Sequence, residues 1–185
     1  IRDVIIDAHL IQGIKHLREK QYQKALDNFI KAQVPEEEAS GSRAGNRNIQ
    51  VNFFMGLAYE GMGNKRKARE YFTASIKPAS VISGYITYYQ GLSYNKLGHK
   101  TRATEIFNSM IAEGDRQLKQ SAATGDFFAK FGAREAENAR LSNAYLLKGL
   151  GYKGLGDISN AVSNLKDALE HQAGNLYAGV ELNEM

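Results

Sequence analysis

A nine-residue stretch at 56–64, GLAYEGMGN, recurs twice further along the chain. Residues 91–99 read GLSYNKLGH and residues 149–157 read GLGYKGLGD. All three copies share the pattern G-L-x-Y-x-x-φ-G, where φ is a large apolar residue. Because repetition at this scale is typical of stacked structural units, the pattern predicts an array of similar elements.

Each copy continues in the same way downstream. An alanine lies 12 residues after the first glycine and a large apolar residue 4 residues later, which places both on one face of a second helix. These pairs are Ala68 with Phe72, Ala103 with Phe107, and Ala161 with Leu165. An earlier, weaker copy has His16 in place of the tyrosine and keeps Gly13, Tyr22, Ala25, Phe29 and Ala32.

These residues resemble the tetratricopeptide repeat, a helix-turn-helix unit of about 34 residues. The resemblance implies an all-α fold, a right-handed superhelical array of about four antiparallel helix pairs in a single domain, 1–185. The implied repeats are 6–35, 49–79, 84–120 and 142–173. A capping helix is expected at 175–185. A glycine after each block (Gly63, Gly98 and Gly156) suits a left-handed turn between paired helices.

The blocks are unequally spaced. Gly13 to Gly56 is 43 residues, Gly56 to Gly91 is 35, and Gly91 to Gly149 is 58. The first surplus is a polar loop at 35–46, and the second is a long insertion at 111–140 that should lengthen the flanking helices around a turn near 124–126. The predicted helix pairs are 2–19 with 22–33, 47–62 with 65–76, 80–97 with 100–120, and 133–154 with 158–171.

The region before the last block carries a second resemblance. Residues 127–132, FFAKFG, followed by the block at 149, are similar to the C-terminal repeat region of large bacterial proteins, particularly those of Bacteroides-like gut bacteria. This similarity implies the tail of a longer polypeptide linked to carbohydrate utilisation. It implies no catalytic residue.

Composition narrows the function classes. The chain has 185 residues, two prolines, no cysteine and no apolar run long enough for a membrane span, so we expect no disulfide, thiolate site or transmembrane helix. Its net charge of +4 comes from basic residues interspersed with acids, which makes nucleic acid an unlikely partner. We expect a soluble protein and leave its compartment open between cytoplasm and periplasm, because a leader could be absent from this sequence.

A glycine motif in the last block invites a cofactor hypothesis. Gly149, Gly151 and Gly154 satisfy G-x-G-x-x-G, which lets the backbone of a dinucleotide-binding protein approach a pyrophosphate. That motif should follow a strand, whereas residues 141–148 continue a helical pattern. We therefore predict that these glycines serve helix packing and that the chain binds no cofactor.

Candidate metal and catalytic residues are sparse. His9 and His16 lie seven residues apart and share a helix face, but no third ligand is evident, so packing histidines are predicted and no metal site. The acidic run at 36–38 lacks the spaced oxygen ligands of a calcium loop. No nucleophile-base pair or P-loop is apparent, and we predict that the chain is not an enzyme.

The resemblance implies a protein-interaction or scaffold module, because first helices in this family line a groove that binds peptides or helices. The glycine register gives these candidate groove residues: Leu10, Ile14, Phe53, Leu57, Glu60, Tyr85, Tyr88, Leu92, Asn95, Lys96, Leu150 and Lys153. Aromatic residues there favour an apolar or amphipathic protein ligand.

Several alternatives remain open from sequence. The same side chains could only pack the stack, or the chain could be a structural tail on an upstream domain of the same polypeptide. Self-association through apolar end faces and a role as an enzyme accessory domain are further alternatives.

Overall fold

The structure, a computed structural model, describes residues 2–35, 47–77, 84–120 and 129–185. Every regular element within these ranges is an α-helix, so the predicted all-α class is confirmed. The nine helices of the described ranges are α1 Arg2–Arg18, α2 Tyr22–Ala32, α3 Arg47–Gly61, α4 Lys65–Ser75, α5 Ile86–Lys96, α6 Lys100–Lys119, α7 Ala129–Leu155, α8 Ile158–His171 and α9 Leu176–Leu182.

The helix limits follow the predicted pairs with two differences. Helix α5 begins at Ile86 after a turn at Gly84, whereas the predicted start near 80 lies outside the described residues. Helix α7 begins at Ala129, four residues before the predicted start at 133. The insertion lengthens both flanking helices, since α6 has 20 residues and α7 has 27, against 11 in α4. Of the polar loop predicted at 35–46, residues 36–46 fall outside the described ranges, as does the turn predicted near 124–126.

The chain divides into two compact units, Ile1–Ala103 and Thr104–Met185. The division falls inside α6, after its first turn. In the first unit α1 packs with α2, α3 packs with α4, and α5 contacts both α3 and α4. In the second unit α7 packs with α8, and α9 packs on α8. The predicted repeat limits and the single-domain organisation stay predictions.

Aromatic rings form the core of the first unit. Phe54 of α3 contacts Phe29 of α2, with ring centroids 5.6 Å apart, and Tyr89 of α5, with centroids 5.4 Å apart. Phe53 contacts the rings of Phe72 and Tyr89. All five rings are at most 5% exposed. The cluster therefore joins α2, α3, α4 and α5 through apolar burial, the main favourable term in folding.

In three of the helix pairs, a glycine of the first helix faces a large side chain of the second. A Cβ at Gly13 would lie 2.3 Å from the Phe29 ring, and a Cβ at Gly56 would lie 2.5 Å from the Phe72 ring. In the second unit a Cβ at Gly149 would lie 2.7 Å from Leu165. The partner is always 16 residues further along the chain, so the spacing seen in the sequence encodes close helix approach.

The turns between paired helices need a left-handed residue. Gly63, Gly98 and Gly156 have φ values of 76°, 87° and 82°, as the sequence predicted. The α1–α2 turn has Lys20 in this conformation, with φ 58°. After the turn, the Asn64 side chain accepts a hydrogen bond from the Lys67 backbone N–H at 3.1 Å, which caps α4.

Two buried hydroxyl chains connect helices within the units. In the first unit Ser93 Oγ donates to Ser75 Oγ at 2.9 Å, and Ser75 Oγ donates to the Ile49 carbonyl oxygen at 2.8 Å. In the second unit Asn175 donates to Ser142 Oγ, which donates to the Ala168 carbonyl oxygen at 2.7 Å. Each chain satisfies hydroxyl groups that would otherwise be buried without partners.

Candidate functional site

Five predicted groove residues belong to the helix core. Each of these side chains is at most 6% exposed. They are Leu10, Ile14, Phe53, Tyr88 and Leu150. Phe53 packs on the Phe72 ring at 6.0 Å, and Tyr88 contacts Tyr89 at 5.4 Å. Leu10, Phe53 and Tyr88 lie three residues before a block glycine, whereas Ile14 and Leu150 directly follow one. The apolar burial of these five side chains stabilises helix packing, and their assignment to a binding groove stays a prediction.

The other predicted positions of the first unit remain accessible. Leu57, Tyr85 and Leu92 are half-buried, whereas Glu60, Asn95 and Lys96 are exposed. Glu60 lies one turn after Leu57 on α3. On α5, the adjacent residues Asn95 and Lys96 lie one turn after Leu92. We call the surface formed by these side chains and Tyr85 the α3–α5 face.

An ion pair brings the two helices of this face together. Lys96 Nζ lies 2.5 Å from a Glu60 carboxylate oxygen, with both side chains partly in solvent. Lys96 Nζ also lies 5.9 Å from the centroid of the Phe72 ring. Since an exposed pair of this kind adds at most about 1 kcal/mol to stability, its main effect here is to order two polar side chains beside Leu57 and Leu92.

One polar cluster of this site was missed from the sequence. Arg47 of α3 forms an ion pair with Asp7 of α1, and its guanidinium carbon lies 5.8 Å from the centroid of the Tyr85 ring. The Arg47 side chain is only 11% exposed. The glycine register could have identified part of this cluster from the sequence, because Asp7 and Tyr85 both lie six residues before a block glycine. Only Tyr85 was selected.

Lys153, the last predicted groove residue, is held within the second unit. Its Nζ donates to the Glu181 carboxylate at 2.8 Å and to the Glu181 carbonyl oxygen at 3.0 Å. A Glu184 carboxylate oxygen lies 3.7 Å away. Glu181 is only 3% exposed. The short helix α9 therefore supplies the anionic partner of Lys153 from the same chain.

The glycine motif in α7 has a packing function. A Cβ at Gly151 would lie 2.8 Å from the Phe107 carbonyl oxygen, and a Cβ at Gly154 would lie 2.4 Å from the Phe107 ring. With Gly149 against Leu165, all three glycines of the motif lie inside a helix and face side chains or backbone of its neighbours. Such positions do not offer free backbone N–H groups to a pyrophosphate.

The two histidines on α1 belong to separate hydrogen-bond networks. His9 Nδ1 lies 3.4 Å from Asn28 Oδ1 on α2. His16 contacts the Gln12 amide at 3.2 Å and the Gln21 side-chain oxygen at 3.1 Å. Across the described part of the chain, no three His, Asp or Glu side chains form a group that could hold a metal ion.

Two pKa shifts accompany surface contacts. Hydrogen bonds from Arg116 and Gln117 lower the pKa of Glu113 on α6 to about 2. Partial burial raises the pKa of Tyr71 on α4, and the neighbouring Tyr59 adds to this effect. Both contacts order local surface structure.

Among the helices in the described ranges, none combines the length and apolarity that crossing a lipid bilayer requires.

The comparisons with known proteins give one result. Residues 49–77, which cover α3, α4 and the turn between them, match the family described as "Tetratricopeptide repeat". No curated protein and no solved structure matches the chain.

Proposed function

We propose that the chain, whose residues 49–77 match the tetratricopeptide-repeat family, holds a segment of another protein on the α3–α5 face. Tetratricopeptide repeats are general protein-interaction modules and are typically non-catalytic. The matched repeat supplies α3, and α5, the first helix of the following pair, packs on it. This arrangement supports a binding surface made by two adjacent first helices.

The Glu60–Lys96 ion pair is the observation that carries this proposal. It joins the exposed side chains of two helices into one surface with half-buried Leu57 and Leu92 beside it. An apolar strip with a polar rim fits one face of an amphipathic helix or an extended segment with alternating side chains. Asn95 supplies hydrogen-bonding groups, and Tyr85 supplies an aromatic edge held by Arg47.

A selection experiment tests the proposal without a known partner. Peptides would be selected from a random display library against the wild-type protein, and their affinities measured by fluorescence anisotropy. Leu57→Asp with Leu92→Asp should weaken the selected peptides at least about tenfold, because each leucine loses apolar contact and gains a charge. The matched control is Ile30→Asp with Met62→Asp, which changes two exposed apolar residues elsewhere in the first unit.

Either of two results would contradict the α3–α5 assignment. One is a library that yields no binder, and the other is equal weakening of the selected peptides by both double variants. Far-ultraviolet circular dichroism of each variant establishes that the helices are retained.

A second candidate function rests on α1. Val4, Ile5 and Ile11 are 70%, 51% and 39% exposed, and their spacing forms an apolar stripe. This stripe favours a structural role in which α1 packs on another domain of the same polypeptide. Val4→Lys with Ile11→Lys should then destabilise the full-length gene product by about 2 kcal/mol and leave the present chain unchanged. Equal stability loss in both proteins would argue against this role.

A further inference from the structure

The formal charge of the chain is concentrated in one short segment. Residues 65–77 contain five basic residues and one acidic residue, which gives the segment a net charge of +4. The whole chain also carries +4, so the remaining residues balance to zero. The basic residues of the segment are Lys65, Arg66, Lys67, Arg69 and Lys77. The segment formed by α4 and the two residues after it is therefore strongly basic.

Three of these side chains form one stripe along the outer side of α4 and the residues just after its end. Arg66 and Arg69 lie one turn apart on α4, and Lys77 lies two residues after Ser75, the last residue of the helix. All three side chains are exposed, and the exposed Thr73 lies between them in the sequence. The members of the stripe line an open surface depression of about 400 Å³ together with Glu70 and Ala74. We call Arg66, Arg69 and Lys77 the basic stripe.

The charge of the basic stripe is mostly unneutralised. Arg66 pairs with Glu70 at 2.7 Å, and both side chains are more than half exposed. Arg69 and Lys77 make no side-chain ion pair with any residue in the described ranges. Nearby, Lys67 lies over the Tyr59 ring at 4.9 Å, on a different side of α4. Two of the three cations therefore remain available to an anion from outside.

This arrangement opposes the local preference of a helix. The first turn of α4 contains Lys65, Arg66 and Lys67 and no acidic residue, although the N-terminal end of a helix favours negative charge. Arg69 adds a second like charge one turn after Lys65. Arg66 has Glu70 and Lys67 has the Tyr59 ring as a partner. Arg69 breaks the local rule, and neither Arg69 nor Lys77 has a charged partner in the described ranges, which indicates a functional surface.

We propose that the basic stripe binds an acidic segment of a partner protein, with carboxylates at helical spacing. The carboxylates would pair with Arg66, Arg69 and Lys77, and the arginine forks allow bidentate contacts. This surface lies on the second helix of the matched repeat and is separate from the α3–α5 face. The protein therefore has two interaction surfaces in its first unit.

The surroundings favour a protein segment over nucleic acid. Glu70 interrupts the basic stripe, so an unbroken phosphate backbone would meet a negative charge at its centre. Tyr59 and Tyr71 stack on each other with centroids 5.3 Å apart, and Lys67 covers the Tyr59 ring. These rings do not present a free stacking platform for bases.

The test uses a defined probe, a fluorescein-labelled helical peptide of alanine with glutamate at every third or fourth position. Its affinity for the full 185-residue chain is measured by anisotropy at about 50 mM and about 150 mM salt. Binding should be weaker at the higher salt concentration. Arg66→Glu with Arg69→Glu and Lys77→Glu should lower the affinity at least about tenfold, because attraction becomes repulsion.

The matched control makes the same charge change elsewhere in the first unit. Lys24→Glu with Lys31→Glu and Lys100→Glu alters three exposed lysines of α2 and α6, and it should keep the peptide affinity within about twofold. A Leu57→Asp, Leu92→Asp variant should also bind the acidic peptide normally, which separates this site from the α3–α5 face.

Three outcomes would overturn the proposal. The first is that the wild-type protein fails to bind the peptide at the lower salt concentration. The second is an equal loss in the lysine control, which would assign binding to net charge alone. The third is a single-stranded DNA probe that binds more tightly than the peptide and loses affinity with the same triple variant. Circular dichroism excludes loss of helix in each variant.

Discussion

Lys20 occupies a backbone position that glycine occupies in every other helix-pair turn described. Its φ of 58° matches the left-handed conformation of Gly63, Gly98 and Gly156. A side chain at such a position costs roughly 1 kcal/mol, because the Cβ approaches the following carbonyl oxygen. The glycine blocks predicted three of these turns from the sequence. The fourth was predicted only as a loop, since a lysine gives no local signal for a left-handed backbone.

Replacing Lys20 by glycine should therefore stabilise the protein. We expect Lys20→Gly to raise the free energy of unfolding by about 0.5 to 1 kcal/mol, since relief of strain exceeds the added entropy of the unfolded chain. Urea denaturation followed by circular dichroism measures this. Gly98→Ala is the reciprocal control and should destabilise by a similar amount. A lower unfolding free energy for Lys20→Gly would show that the turn is not strained.

At the scale of helices, pairing depends on contacts between glycine and a large side chain 16 residues away. The sequence predicted these pairs because both residue types recur at fixed spacing in all copies. It did not separate accessible side chains from core side chains. Phe53 and Leu57 lie four residues apart on α3, yet Phe53 is buried among rings and Leu57 is half-buried. The packing of α4 and α5 on α3 sets this difference in burial. The residue pattern of α3 alone does not show where those helices pack.

Two alanine substitutions should have opposite effects on stability. Gly56→Ala places a Cβ 2.5 Å from the Phe72 ring and should destabilise the protein by about 1 to 3 kcal/mol. Gly179→Ala in α9 meets nothing within 4 Å and should stabilise it by about 0.5 to 1 kcal/mol through helix propensity. Thermal unfolding by calorimetry compares them. The same sign for both variants would mean that contact with Phe72 does not determine the choice of glycine.

At the scale of the molecule, the chain has two cores. The first unit is built on the aromatic cluster around Phe54, and the second is built mainly on aliphatic side chains such as Leu147 and Leu165. The sequence predicted helix pairs throughout but gave no basis for a boundary inside α6. The helical pattern is continuous from 100 to 119, so it does not indicate a boundary. Compact units are defined by contacts between helices, which the periodicity of one helix does not show.

Hydrogen exchange should distinguish one cooperative domain from two. Phe54→Leu removes ring contacts with Phe29 and Tyr89 and should cost about 1 to 2 kcal/mol. We expect the slowest amides of α1 to α5 to exchange about 5 to 30 times faster, while those of α7 to α9 change less than about twofold. An equal increase in both units would instead support the single domain predicted from the sequence.

The contact between Lys153 and Glu181 sets a threshold for any acidic ligand that approaches α7. Glu181 is tethered to the same chain, and a short tether gives an effective concentration in about the millimolar range. A competing carboxylate from outside must exceed this local concentration or bring additional contacts of its own. Weak, single-point anions are therefore excluded from Lys153, and only a ligand that engages α7 at several points can displace α9.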